Sequence, residues 1–439
     1  MIVGIGLALG VMVLIHEWGH FVAARLCGVR VDVFSIGFGP RLFGWKKGPT
    51  DYRVSALPLG GYVRMAGQDL SEVDAGDKPP TGAADELMSK PRWQRAIISA
   101  AGPAVNLVFP IFLLTGLVAT VGIPYSAYLD APARVNELPP SQVATNLLKP
   151  GDVILSINGV GTRNWEQALI ALSQIAPGAK LTMEVEDSGT RHTVEMSPKE
   201  ITDPSKIVGY LPIRPIIDQV GAGTPADRAG LREGDVITAV NGKKIDYWDQ
   251  FREAAQSSNG QPMTIDVSRK SRVVQLVVTP KKDATGMGED VYQIGVQRRD
   301  ETSYRHVSFV EGVRFSGLKT AETIAQTVEV VGKLFSGRVS IKQLQGPVGI
   351  STMAAKAVRR GPLDVISLMV VISVNLGILN LLPIPILDGG NILLLAIEGV
   401  MRRDLSLTFK ERFIQVGLVF LLVIFAIVMY HDILRSRHS

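Results

Sequence analysis

A single cysteine, Cys27, stands among the 439 residues of the chain. One thiol permits neither an internal disulfide framework nor a zinc cluster built on cysteine. Beside an apolar run it reads as a passive buried thiol. Charge is scarce too. Only 20% of residues are Asp, Glu, Lys or Arg, below the usual share for a soluble domain, and the mean hydropathy is positive. Histidine is rarer still, six in all. No Gly-x-Ser-x-Gly element occurs, so the nucleophile-elbow signature of serine hydrolases is missing. The net charge of +5 could suggest nucleic acid, but the basic residues cluster in loops that flank apolar segments. The anionic surface of a lipid bilayer accounts for them, and no nucleic-acid partner is expected.

The apolar residues are concentrated in four blocks. One runs from Ile2 to Ile15 and resumes at Phe21 to Ala24; the others cover Ala96–Val121, Leu363–Leu382 and Phe413–Tyr430. Each has about the length needed to cross a bilayer. The first lacks the basic residues of a secretory leader, so it reads as a retained span. Between the first two blocks, residues 25–95 hold 11 Lys and Arg. Basic loops face the cytoplasm. That orientation puts the long stretch from Gly122 to Gly361, and both termini, on the outer side.

Within that stretch one pattern is written twice. Leu148, Gly151, Asp152, Asn158 and Trp165 recur as Leu231, Gly234, Asp235, Asn241 and Trp248, always 83 residues on. A fixed period of this kind indicates duplicated domains. Gly-Asp, a β-branched run and then Asn-Gly describe a strand feeding a tight turn. The pattern resembles the PDZ domain, which implies two tandem extracytoplasmic PDZ domains at 122–214 and 215–300. Such domains bind peptide C-termini or extended segments by strand addition; the alternative is a pair of spacers or a steric filter. Leu147 stands where the second copy has Gly230.

"LIHEWGH" (residues 14–20) sets two histidines and a glutamate inside the first apolar block. His16 and His20 are one helical turn apart and share a face, so they can hold one metal ion, with Glu17 beside the first. This is the His-Glu-x-x-His arrangement of zinc hydrolases, Glu17 being the general base. Burying three ionisable groups at membrane depth is costly unless something compensates them. A catalytic zinc needs a third protein ligand. Asp388, in "NLLPIPILDGG" (380–390), is the carboxylate at matching depth on the third span. The competing reading of Asp388 is a helix-ending Asp-Gly turn.

"HEWGH", "PLGGYV" (58–63), "AAGPAVN" (100–106), the PDZ pair and "NLLPIPILDGG" occur in the order found in the site-2 proteases. The chain resembles that family of intramembrane zinc metalloproteases along nearly its whole length. The resemblance implies a bacterial inner-membrane protease. It implies cleavage of single-span substrates of the anti-sigma-factor type after a first external cut, and of signal-peptide remnants. It implies a membrane-reentrant β-sheet after the first span, with Gly37, Phe38 and Gly39 as the substrate-pairing edge; an ordinary cytoplasmic hairpin is the alternative. It also assigns Asn375 and Asn380 to holding the substrate backbone, against the simpler reading of interhelical hydrogen bonds. Asn391 follows the double Gly where close relatives often carry His.

The expected architecture is therefore a four-span α-helical membrane protein divided as follows. Residues 1–24 form the first span, 25–95 the β region and a flexible polar loop (66–92), and 96–121 the second span. After the PDZ pair come an amphipathic membrane-surface region at 301–361 (stripe Ile324, Val328, Val331, Leu334) and the third span at 362–390. A cytoplasmic connection (391–412), the fourth span (413–430) and a tail (431–439) complete it. His192, His306, His431 and His438 have no ligand-like spacing. Two rival functions remain. One is a membrane-tethered PDZ adaptor with a vestigial or structural metal site. The other is a metal transporter, which usually shows internal membrane repeats that are missing here.

Overall fold

The computed structural model describes residues 2–68, 81–138, 148–176, 179–196, 208–282, 291–337 and 346–436. Residues 69–80 of the loop, Leu147 and His438 lie outside them. The chain divides into two compact units, one of Met1–Ile123 with His306–Arg437 and one of Pro124–Arg305.

The first unit is mostly helical. α1 (Ile2–Leu26) packs against α2 (Arg92–Val121), and α2 is the hub that also meets α5 (Phe309–Phe335), α7 (Pro362–Leu381) and α8 (Asp388–Met401). In sequence α6 (Pro347–Arg360) follows α5 and packs on α7 and α9 (Leu407–Ser436), the last helix. Among the described residues three helices are long and apolar enough to span a bilayer: Arg92–Val121, Pro362–Leu381 and Thr408–Ile433. Small residues let these backbones approach, as membrane helices require. A Cβ on Gly19 would stand 2.5 Å from the Ala101 carbonyl, and one on Gly377 would meet Leu107 at 2.8 Å. Ser373 Oγ donates to the Asn106 carbonyl at 2.7 Å, pinning α7 to α2.

Three boundaries differ from expectation. α2 and α9 run past their apolar cores, because long basic side chains reach water from a helix end. Residues 391–412 are no simple connection, since α8 continues to Met401. Its buried Glu398 accepts from Lys410 Nζ at 3.1 Å and sits 3.9 Å from Arg95, tying α8 to α9 and α2. α5 packs on α2 through another face than the expected stripe. Its buried residues are Gly312, Ser316 and Thr320, facing α2, while Val328 of the expected stripe is exposed.

After α1 the chain forms a single β layer from β1 (Val31–Lys47) and β2 (Thr50–Met65), joined through Gly48 with φ +60°. Each strand pairs twice. Residues 33–36 pair on one side with 61–64 and on the other with 51–54, while 41–47 pair with 50–55. The layer therefore has four segments, and residues 61–65 form one of its outer edges.

The second unit contains the repeat. Its first copy is the sheet β4-β3-β5-β6, with β3 at Val153–Ile157, β4 at Val160–Gly161, β5 at Leu181–Asp187 and β6 at Thr190–Met196. The second is β8-β7-β9-β10, with β7 at Val236–Val240, β8 at Lys243–Lys244, β9 at Met263–Arg269 and β10 at Arg272–Val278. Each carries a matching helix, α3 (Trp165–Ser173) or α4 (Trp248–Ser257), and its own core, and the second also has the short helix Pro225–Arg228. The matching residues do matching work. Asn158 and Asn241 adopt left-handed backbones (φ 47° and 51°) and each accepts a strand N–H at 2.8 Å, from Thr182 and Thr264. Asp152 and Asp235 accept from Lys149 N and Arg232 N at 2.9 and 2.8 Å.

Candidate metal centre

The centre lies in the first unit and is assembled from α1, α2, α7, α8 and the β layer. On α1 the i, i+4 spacing puts His16 and His20 on one face, both buried, with their rings edge to face at 4.8 Å.

Asp388 arrives by a different device. α7 ends at Leu381, and Pro383 and Pro385 prevent it from continuing, since proline lacks the N–H a helix needs. Ile386 takes φ +78°, a strained conformation for a β-branched residue. α8 then starts at Asp388 itself. The double glycine that follows is a packing requirement. A Cβ on Gly389 would stand 2.2 Å from the Leu382 carbonyl, and one on Gly390 would stand 2.3 Å from that of Ile384. The broken chain folds back on itself and presents the carboxylate to α1.

His16 Nε2 lies 3.1 Å from Asp388 Oδ2, His20 Nε2 3.3 Å from Asp388 Oδ1, and the two Nε2 atoms 3.2 Å apart. Ligands bound tetrahedrally to zinc at about 2.0–2.1 Å stand about 3.3 Å from one another. The contacts, two of them to different oxygens of Asp388, are close to that spacing, and this is the one such cluster among the described residues. The donor set therefore fits zinc. Space is kept for the His20 ring as well: a Cβ on Gly102 would lie 2.3 Å from His20 Nε2.

Around these three, α2 sets the second layer. His20 Nδ1 donates to the Ile98 carbonyl at 2.8 Å, which leaves its Nε2 lone pair facing the cluster. His16 Nδ1 lies 3.2 Å from Asn106 Nδ2. Glu17 Oε2 accepts from the backbone N–H of Val63 at 3.1 Å, so the general-base candidate is held by the outer edge of the β layer. His16, Glu17, His20, Val63, Ile98 and Asp388 line a cavity of about 740 Å³; Asn106 does not.

The other expected residues separate. Asn380 lines the cavity, with its Nδ2 3.5 Å from His16 Nε2. Asn375 accepts from Thr327 Oγ1 on α5 at 3.1 Å and does not line the cavity. Phe38 lines it and stacks on Tyr62 at 5.9 Å. Gly37 and Gly39 take φ +89° and +85°, bending β1 there. The β-edge residue that reaches Glu17 is Val63, which sequence reasoning passed over. Gly102, Ile98 and Asn106 were also left without roles. "AAGPAVN" was the available signal for Gly102 and Asn106, while Ile98 acts through a carbonyl that any residue supplies.

Residues 5–424 match the description of peptidase family M50. The chain is 31% identical to Protease RseP of Yersinia pestis over 450 residues, covering 98% of this chain and 97% of the relative. It is 30% identical to the regulator of sigma-E protease RseP of Escherichia coli (strain K12) over 452 residues, with the same coverage. The regulator of sigma E protease of Haemophilus influenzae is likewise 30% identical over 450 residues. The chain belongs to peptidase family M50, the site-2 proteases, and is a zinc metalloprotease.

Proposed function

We propose that this protease cuts peptide bonds within transmembrane segments, with His16, His20 and Asp388 as the zinc ligands and Glu17 as the general base. The observation that carries the reading is the cluster of His16 Nε2, His20 Nε2 and the two Asp388 carboxylate oxygens, with contacts of 3.1 to 3.3 Å, built from two helices of apolar sequence. A zinc ion held there supplies Lewis acidity toward water and the scissile carbonyl. The protein's own groups do the rest. Glu17, adjacent to His16, takes the proton of the attacking water and passes it to the leaving amide nitrogen. Asn380, beside the same cavity, offers amide groups to a substrate backbone.

A helical substrate hides its amides in its own hydrogen bonds and has to be unwound first. Strand addition to a sheet edge does this. The edge at 61–65 is the better placed, because Val63 already bonds Glu17; Phe38 then packs from the cavity wall. Leu42, Phe43 and Trp45 on the opposite outer segment are each more than half exposed, as lipid-facing residues of a reentrant layer would be.

In this reading α1 is a fourth span, making four with the three apolar helices, in a bacterial inner membrane. The two repeats and both termini lie on the periplasmic side, with the metal centre toward the cytoplasm. The relatives are named as regulators of sigma-E. By analogy the substrates are single-span proteins of the anti-sigma-factor type already cut outside, together with signal-peptide remnants. The two repeats are PDZ domains that exclude intact ectodomains or hold peptide ends.

The test is Glu17→Gln, assayed on a reporter transmembrane segment in detergent. Zinc content and melting temperature should stay at wild-type values while cleavage falls by at least about 100-fold, the scale of a lost general base. A variant that still cuts at the wild-type rate removes Glu17 from the chemistry.

A further inference from the structure

Both histidines aim Nε2 at the same point, so each has to carry its proton on Nδ1. For His20 the Ile98 carbonyl accepts that proton. For His16 the neighbour of Nδ1 is the side chain of Asn106, a fully buried residue whose Nδ2 is 3.2 Å away. Ile98, Gly102 and Asn106 follow at four-residue steps along one stripe of α2, so one helix face serves both imidazoles. With Nδ2 toward the ring the amide donates. That arrangement moves the imidazole proton to Nε2, where Asp388 Oδ2 accepts it at 3.1 Å. It is a self-consistent hydrogen-bonded state, but Nε2 then has no lone pair for a metal.

A carboxamide is nearly symmetric in shape, and half a turn about its last torsion exchanges donor for acceptor. Asn106 Oδ1 is buried and has no hydrogen-bond partner among the described residues. The backbone of Asn106 is held by Ser373 from α7, so the side chain can turn without the helix moving.

We propose that Asn106 is the positioning residue for His16. In the zinc-loaded protein it turns Oδ1 to accept the Nδ1 proton, which fixes Nε2 as the ligand atom. Asparagine suits the position because its carboxamide supplies an acceptor without adding a charge. This rests on His16, His20 and Asp388 being the ligand set.

The experiment measures zinc affinity of the full chain in detergent by chelator competition, together with the visible spectrum of the cobalt-substituted protein. The variants are Asn106→Leu, Asn106→Asp and Asp388→Asn. Leu keeps the size but accepts nothing, and it should weaken zinc by roughly 10–100-fold at an unchanged melting temperature, the scale for losing an outer-shell partner. Asp, ionised, accepts but cannot donate; it should hold zinc close to wild type and preserve the cobalt spectrum. Wild-type affinity in Asn106→Leu, or equal weakening by Leu and Asp, overturns the proposal. Should the Leu variant fail to fold, Asn106→Ala replaces it with the same two readings. Wild-type zinc binding in Asp388→Asn instead overturns the ligand set, a failure this comparison keeps separate.

Discussion

Gly102 shows how much of the centre is made of residues with nothing to offer chemically. The His20 ring occupies the volume its side chain would fill, 2.3 Å from a built Cβ. Gly102→Ala should therefore displace the ring and lower zinc affinity by at least about tenfold, as loss of support around a ligand does. A chelator titration checks this, and an alanine variant that binds zinc normally would show that the helices can part there. At this scale the histidines, Glu17 and Asp388 were legible, because ionisable groups in an apolar run are conspicuous and the i, i+4 spacing carries geometry. Val63 and Ile98 were not, because they act through backbone groups common to every residue. Asn375 and Asn380 looked alike in sequence. Only packing separated them, turning Asn375 to Thr327 and Asn380 to the cavity.

At the scale of elements, the repeat was the clearest feature of the sequence, and the two sheets have the same strand order. The copies are not equal. Asp235 receives both Nε and Nη2 of Arg269 at 2.7 Å, whereas Asp152 Oδ1 has no partner among the described residues. The strand position matching Arg269 in the first copy, with Thr182 matching Thr264, is Asp187. Arg269→Met should strand a buried carboxylate and cost the second copy about 3 kcal/mol. Thermal unfolding of the full chain, followed by protection of residues 236–278 from hydrogen exchange, reads this directly; unchanged protection there would contradict it. Helix ends were less legible. Hydropathy marks the apolar part of a helix, not the turns beyond it, so α2 and α9 were read short. Residues 391–412 were read as a connection because Arg402, Arg403, Lys410 and Arg412 mark a basic loop, and the third span was carried through the prolines and glycines that signal a break. They do make one, but the following "NILLLAIEGV" rebuilds a helix whose first residue carries the carboxylate.

Across the whole molecule, the centre joins parts of the chain that lie far apart in sequence, the second half of α1 and the start of α8. Composition told that a membrane protein with little cysteine and little histidine was at hand, and that scarcity is useful. With His16 and His20 the sole histidines in the cluster, and Cys27 outside it, the first coordination shell has a single expected composition. X-ray absorption at the zinc edge of the purified full-length protein reads that shell. Two imidazoles with oxygen ligands at about 2.0–2.1 Å and no sulfur are expected. Sulfur at about 2.3 Å, or a shell without the imidazole pair, would contradict coordination by His16, His20 and Asp388.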